Sequence, residues 1–169
     1  MGVMFKQPGP EFDAFVLQAS PALLRLAFRL TGDRQLAEDV LQTALVRVAR
    51  NWGRAVDNPW AYTNKALVSA STDGWRRQQR RVVELAASQP DGTSAPDALR
   101  SIEDREQLLQ ALRALPKQMR AVLVLRYWED LSIEETSRLL GCSQGTVKST
   151  TNRGLERLRG VITSKEYVE

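Results

Sequence analysis

Histidine is absent from the 169 residues, and Cys142 is the only cysteine. Without imidazole and with a single thiol, the chain lacks most of the ligand set that zinc, copper or haem sites draw on. It also lacks the side chain most often used for general acid–base work. No disulfide can close within the chain, which agrees with a reducing compartment. Gly-rich phosphate loops and Gly-x-Ser-x-Gly elbows are missing too. The expectation is therefore a protein that is not an enzyme and carries no metal or cofactor. Long apolar runs are equally scarce. The longest, Ala121–Leu125, falls far short of the ~18 residues a membrane span needs. Lys6, Glu11 and Asp13 stand where a signal peptide would place its apolar core. A cytoplasmic location with no membrane contact of its own follows as the expectation.

Hydrophobic residues make up 43% of the chain, enough for a packed core, and the formal net charge is +4. The excess of positive charge is not spread evenly. It gathers in Arg76–Arg81 and again after Ser143, where Lys148, Arg153, Arg157 and Arg159 stand against Glu156. A charge run is usually only a solvated face, so its location has to decide whether it marks a nucleic-acid partner.

The pattern is helical almost throughout, with no alternating stretch long enough for a strand. Phe12, Phe15, Val16, Ala19 and Leu23 recur at helical spacing, continued by Leu26, Ala27 and Leu30. Pro21 should kink or restart this helix, with Ser20 able to cap the new start. Thr31-Gly32 ends it, and Asp33 has the chemistry of the next N-cap. Two apolar rows follow, Leu36/Val40/Ala44/Val48 and Ala37/Leu41/Leu45/Ala49/Trp52, with Glu38, Asp39, Gln42, Thr43 and Arg47 on the outer faces. Residues 51–58 read as a polar loop ending in Asn58-Pro59, a cap followed by proline at the first helical position. The third helix should run to about Arg81, with Trp60, Thr63, Leu67, Ala70 and Gly74 on one face. Residues 86–98 carry prolines and glycine but no large apolar side chain, the composition of a flexible linker. Helices resume near Ser101 with Ile102, Leu108 or Leu109, Leu112 and Leu115. Pro116 opens another, in which Met119, Val122, Leu123 and Tyr127 face inward. The expected fold is all-α: two small helical domains, residues 9–84 and 101–163, joined by a flexible linker over 85–100.

The strongest local signal lies in residues 132–159. Ser132 followed by Glu135 is a capping box for a short helix, Ile133–Leu140. Gly141 sits where the chain must turn through a left-handed conformation, and Ser143 can cap a second helix beginning at Gln144. Ser137, Gly141 and Val147 have the spacing with which a helix-turn-helix packs. Such a pair of helices can be purely structural. The second one argues otherwise, because Lys148, Ser149, Thr151, Asn152 and Arg153 point outward as a polar and basic set suited to base edges and phosphates. Cys142, in the turn, reads as a small buried filler.

The run from Leu131-Ser132-Ile133-Glu134-Glu135 through Gly141-Cys142-Ser143-Gln144-Gly145-Thr146-Val147-Lys148-Ser149 to Arg157-Leu158-Arg159 resembles the fourth conserved region of extracytoplasmic-function sigma factors. Leu30-Thr31-Gly32-Asp33 and Ala37-Glu38-Asp39-Val40-Leu41-Gln42 resemble the core-polymerase-binding part of the second region. Asn58-Pro59-Trp60-Ala61-Tyr62 and Asp73-Gly74-Trp75-Arg76-Arg77 resemble its promoter-melting part. The motifs keep family order from Phe12 to Arg159, and their wording is most like the actinobacterial branch. The resemblance implies that Glu38, Asp39, Gln42 and Thr43 meet core RNA polymerase at the coiled coil of its largest subunit. It places the second domain at the flap of the second-largest subunit. It implies −10 recognition by Arg54, Asp57 and Asn58 in the loop, with Trp60 or Tyr62 as a stacking platform for an unstacked base, and with Lys65, Arg76, Arg77, Arg80 and Arg81 along the phosphates. At the −35 element it implies a recognition helix presenting Gln144, Thr146, Lys148, Ser149, Asn152, Arg153 and Arg157 to promoter DNA. The linker would thread the polymerase's RNA exit path. An anti-sigma factor is the expected regulator. The chain departs from common family wording at Thr150, where many members carry Arg, and at Ser69, where many carry Asn. Two other classes compete: a DNA-binding regulator that uses only the second domain, and a sigma mimic that sequesters an anti-sigma factor. The first leaves residues 36–52 and the Arg-rich third helix without a task. The second sits poorly with a retained basic recognition helix.

Overall fold

A computed structural model describes residues 8–55, 57–79 and 105–166, and every regular element among them is a helix. The chain divides into two compact units with the boundary after Gly74. The expected linker, Ser101, Ile102 and Arg80–Arg81 lie outside the described residues.

In the first unit, α1 (Pro10–Thr31), α2 (Arg34–Arg50), the single turn α3 (Trp52–Ala55) and most of α4 (Pro59–Gln79), which runs past the boundary, follow one another through short connections. Gly32 closes α1 at φ 73°, a left-handed conformation that costs a residue with a Cβ but not glycine. Asp33 then caps α2, its carboxylate accepting from Leu36 N–H at 2.8 Å. So tight a connection folds α2 back along α1. The faces that meet are Leu23, Leu26, Ala27 and Leu30 on α1 and Ala37, Val40, Leu41, Ala44 and Val48 on α2, all buried. Leu67 and Val68 of α4 are buried as well. Each fully buried side chain of this size stabilises the unit by about 1.5–3 kcal/mol.

Four expectations change here. Pro21 does not restart the helix: α1 is continuous, and Ser20 Oγ donates to Val16 O within it instead of capping. Leu17 and Pro21 both lie on the exposed side, so the carbonyl that proline leaves without an N–H faces water rather than the core. Trp52 does not continue the α2 row. The helix ends at Arg50, and Trp52 turns to pack edge-on against Phe12 at 5.2 Å and tilted against Phe15 at 5.7 Å. The segment 51–58 is therefore not wholly irregular. It contains one helical turn, pinned to α1 by these rings. Finally, Leu36 is 39% and Trp60 42% exposed, so each stands at the open end of the row it was expected to extend inward.

In the second unit, α5 (Arg105–Ala114), α6 (Lys117–Tyr127) and α7 (Ile133–Leu140) all pack against the long α8 (Gln144–Glu166). Ala111, Leu112, Leu115, Leu123, Leu155 and Leu158 form its core, with Leu108, Met119, Tyr127, Trp128 and Val161 packed around it. Periodicity picks out Val122 and Leu123 on α6, but Ala121 to Leu125 are all buried. The middle of the helix is covered on every side, while Lys117 at its start is exposed. Arg120, one residue before this run on the same helix, is also buried, at 6% exposure. The guanidinium donates to the carbonyls of Leu112 at 2.9 Å, Arg113 at 2.9 Å and Leu115 at 3.1 Å around the end of α5, where Leu112 O also accepts from Leu115 N–H at 3.1 Å. Burial, with the nearby charge of Arg113, lowers the Arg120 pKa below the usual guanidinium range. At Gly154, α8 comes close to α6. A Cβ there would lie 3.3 Å from Leu123 Cδ1 and 3.5 Å from Met119 Cβ.

Candidate nucleic-acid interface

The helix-turn-helix is assembled from local chemistry. Ser132 Oγ accepts from Glu135 N–H at 3.1 Å while Glu135 Oε2 accepts from Ser132 N–H at 2.8 Å, closing the capping box. That backbone donor, seconded by the Ser132 hydroxyl, holds the Glu135 carboxyl below its ordinary 4.5. At the other end of α7, Gly141 adopts φ 65°, and the N–H groups of Gly141 and Cys142 both bond Ser137 O. Ser143 Oγ accepts from Thr146 N–H at 3.1 Å and starts α8. Cys142 is half-buried in this turn. Ser137 and Val147, the expected packing pair, are both buried.

The inner face of α8 is Val147, Thr150, Thr151, Gly154, Leu155 and Leu158. Thr151 thus leaves the outward set: it is 8% exposed, and its Oγ1 donates to Val147 O at 2.7 Å. The reason is the period of the helix, which puts 151 on the row of 147, 154 and 158. Thr150, 2% exposed, also belongs to the packing face. Of the expected reading residues, Gln144, Lys148, Arg153 and Arg157 are exposed, while Thr146, Ser149 and Asn152 are half-buried. Thr146 and Ser149 also have local duties, Thr146 Oγ1 lying 2.9 Å from Ser143 Oγ and Ser149 Oγ donating to Thr146 O at 3.2 Å. The outer face of α8 therefore carries two rows, Lys148–Asn152–Glu156 and Ser149–Arg153–Arg157. Together they make a narrow polar and basic ridge of a width that enters a major groove.

In the first unit, Arg54, Asp57, Asn58 and Lys65 are exposed, and Tyr62 is half-buried. Asn58 is partly committed, its Oδ1 accepting from Ala61 N–H at 3.1 Å to cap α4. Arg76 and Arg77 fall on α4, with side chains outside the description, and Arg80 lies outside it altogether. On α2, Glu38, Asp39, Gln42 and Thr43 all face solvent. Glu38 pairs with Arg34 at 3.2 Å, and Thr43 Oγ1 donates to Asp39 O at 2.9 Å. Val46, 47% exposed, shares this outer face. Sequence periodicity passes over it because the apolar rows account for its neighbours, and only the structure shows how far it stands exposed. Among the described residues no group of acidic or cysteine side chains could hold a metal, and no helix is long and apolar enough to cross a membrane.

Comparison with known proteins agrees with this organisation. The family model for sigma-70 region 2 matches residues 15–81, and that for sigma-70 region 4 matches residues 105–158. The chain is 40% identical over 158 residues to the RNA polymerase sigma-E factor of Streptomyces avermitilis, covering 92% of this chain and 87% of that protein. It is 33% identical over 161 residues to the ECF RNA polymerase sigma factor SigE of Mycolicibacterium smegmatis, covering 90% of this chain and 62% of the other. Among solved structures it resembles the sigma factor RpoE, crystallised with the anti-sigma factor NepR, from Bartonella quintana. The TM-score is 0.61 at 23% identity, covering 92% of this chain and 98% of that one, a likeness of fold. With both regions present in order and such identity over most of its length, the chain belongs to the sigma-70 family, among the extracytoplasmic-function RNA polymerase sigma factors.

Proposed function

We propose that this chain binds core RNA polymerase in the cytoplasm and directs promoter-specific transcription initiation, acting by binding and not by catalysis. The observation that carries the proposal is the exposed ridge of Lys148, Arg153 and Arg157 on a helix whose start is fixed by Ser143 and whose inner face is sealed into a core. That ridge reads the −35 element. Bases are read in the major groove by side chains held at defined positions, and phosphate contacts set the register. Arg54, Asp57, Asn58, Trp60 and Tyr62 take the −10 element, where an unstacked base needs hydrogen-bonding edges and a flat apolar platform. Glu38, Asp39, Gln42 and Thr43 meet the coiled coil of the largest subunit, and the second unit meets the flap of the second-largest. Residues 9–84 and 101–163 are the corresponding domains, with 85–100 as the linker between them. An anti-sigma factor is the proposed regulator; the similar sigma factor from Bartonella quintana was crystallised with one.

The test is run-off transcription with core polymerase on a library of promoters. A sigma factor yields a defined start from a subset of sequences. A DNA-binding regulator or a mimic yields none, and that result would overturn the proposal.

A further inference from the structure

Arg47 lies one helical turn beyond Thr43 on α2, and its guanidinium reaches across to α4. Nη2 donates to Asp73 Oδ2 at 2.8 Å, and Nη1 donates to Ser69 Oγ at 3.5 Å. Ser69 Oγ lies 3.5 Å from Asp73 Oδ1, to which it donates in turn. Three side chains from two helices thus close one polar set, in which a planar fork meets a carboxylate and a hydroxyl one turn apart on α4. Both ions are only partly covered, with 42% and 38% of their side-chain surfaces exposed. A pair so open to water adds little to folding. What it does well is hold an angle, because the planar guanidinium fork meets two acceptors in a fixed geometry that the freely rotating ammonium of a lysine would not impose.

The position of this set suggests what the angle is for. Asp39, Gln42 and Thr43 precede Arg47 on the outer side of α2, the face assigned to the polymerase. Asp73 is followed on α4 by the basic pair Arg76-Arg77, and α4 begins with exposed Trp60. A helix that holds phosphates while a base leaves the stack is pulled by the strand it holds. It can resist only as far as its own anchorage is stiff. We infer that Arg47, through Asp73 and Ser69, is a positioning residue that braces α4 against the polymerase-bound α2 while the promoter opens. The inference rests on the assignment of the first unit made under Proposed function. Ser69 joins the brace from α4, its hydroxyl accepting from Arg47 and donating to Asp73.

The experiment uses holoenzyme made with the full chain carrying Arg47→Ala, Asp73→Ala, or the exchange Arg47→Asp with Asp73→Arg. Three quantities are measured: affinity for core polymerase, the rate of strand opening on a duplex promoter, and initiation on the same promoter opened beforehand by mismatches. The single variants should keep core affinity and initiate normally on the pre-opened template, yet open the duplex about three- to fivefold more slowly, the scale of one partly exposed ion pair. The exchange should recover most of that loss. Opening of the duplex at the wild-type rate by both single variants would overturn the inference. So would equal losses on the two templates accompanied by a lowered thermal midpoint, since Arg47 would then serve only the fold. A wild-type chain that initiates on neither template overturns the functional reading itself, and the brace with it.

Discussion

The two units solve the same problem by different means. The second presents its ridge with bonds between near neighbours: Ser132 with Glu135, Gly141 and Cys142 with Ser137, Ser143 with Thr146. The first presents its candidate site with contacts between residues far apart in the chain: Trp52 against Phe12 and Phe15, and Arg47 against Asp73. A recognition helix must keep one register, and short-range caps fix where it starts. In a site assembled from a loop and two helices, local caps such as Asn58 fix where each helix starts but not how the helices meet, so distant side chains have to set that. Arg120 is the exception in the second unit, a tie from α6 back to the end of α5, five to eight residues earlier in the chain, made from inside the core.

That exception supplies the most damaging substitution. Arg120→Met keeps much of the volume and removes the guanidinium from three carbonyls, of which Leu112 O keeps the Leu115 N–H while those of Arg113 and Leu115 lose the donor it gave them. It should destabilise the second unit by about 2–3 kcal/mol, the cost of leaving buried acceptors unpaired. Denaturant unfolding checks this, with core-polymerase binding by the first unit as the control that should not move. A loss near zero would mean that local caps alone hold the second unit, and would sharpen the contrast.

Trp52→Ala removes the rings' common partner, and the half-buried indole should cost the first unit about 2 kcal/mol. Promoter opening should suffer while −35 binding by the second unit does not. If opening is unaffected, the segment 51–58 keeps its shape without the pin, and the first unit is as locally determined as the second.

Arg153→Ala should leave stability within about 0.5 kcal/mol, as expected for an exposed residue. It should weaken cognate promoter binding by about 1.5 kcal/mol, roughly tenfold. Preference across −35 variants is the informative measurement. Unchanged preference would make Arg153 a phosphate contact and not a base reader.

The smallest effect is a change with pH. The Glu135 carboxyl titrates below its ordinary value in the folded chain because the Ser132 N–H favours the ionised form. Its stabilisation is complete above the unfolded value near 4.5 and is lost as the pH falls through the lower folded value. Glu135→Gln keeps an acceptor for Ser132 but cannot titrate. Unfolding of this variant at falling pH should therefore lose one contribution to acid sensitivity that the wild type shows.

Period and cap chemistry alone determined much of this protein. Asp33, Asn58, Ser132 and Ser143 announce helix starts, and Gly32 and Gly141 announce turns, because each acts on backbone groups within a few residues of itself. The all-α fold, the helix-turn-helix and the basic outer face of α8 follow from those signals and from the apolar rows. Tertiary structure decided what lay at the margins of the rows. Thr151 is polar by composition but inward by period, and packing against the core settled it. Trp52 has the spacing of α2 but packs on α1 once that helix has ended. Pro21 has the chemistry of a break and sits inside a continuous helix because its face is wet. Arg120 has the character of a surface residue and is buried because the end of α5 needs donors. The Arg47–Ser69–Asp73 set joins positions more than twenty residues apart, and no local pattern carries that distance. A bond between near neighbours is written in their spacing, whereas a bond across helices exists only after the helices have found each other.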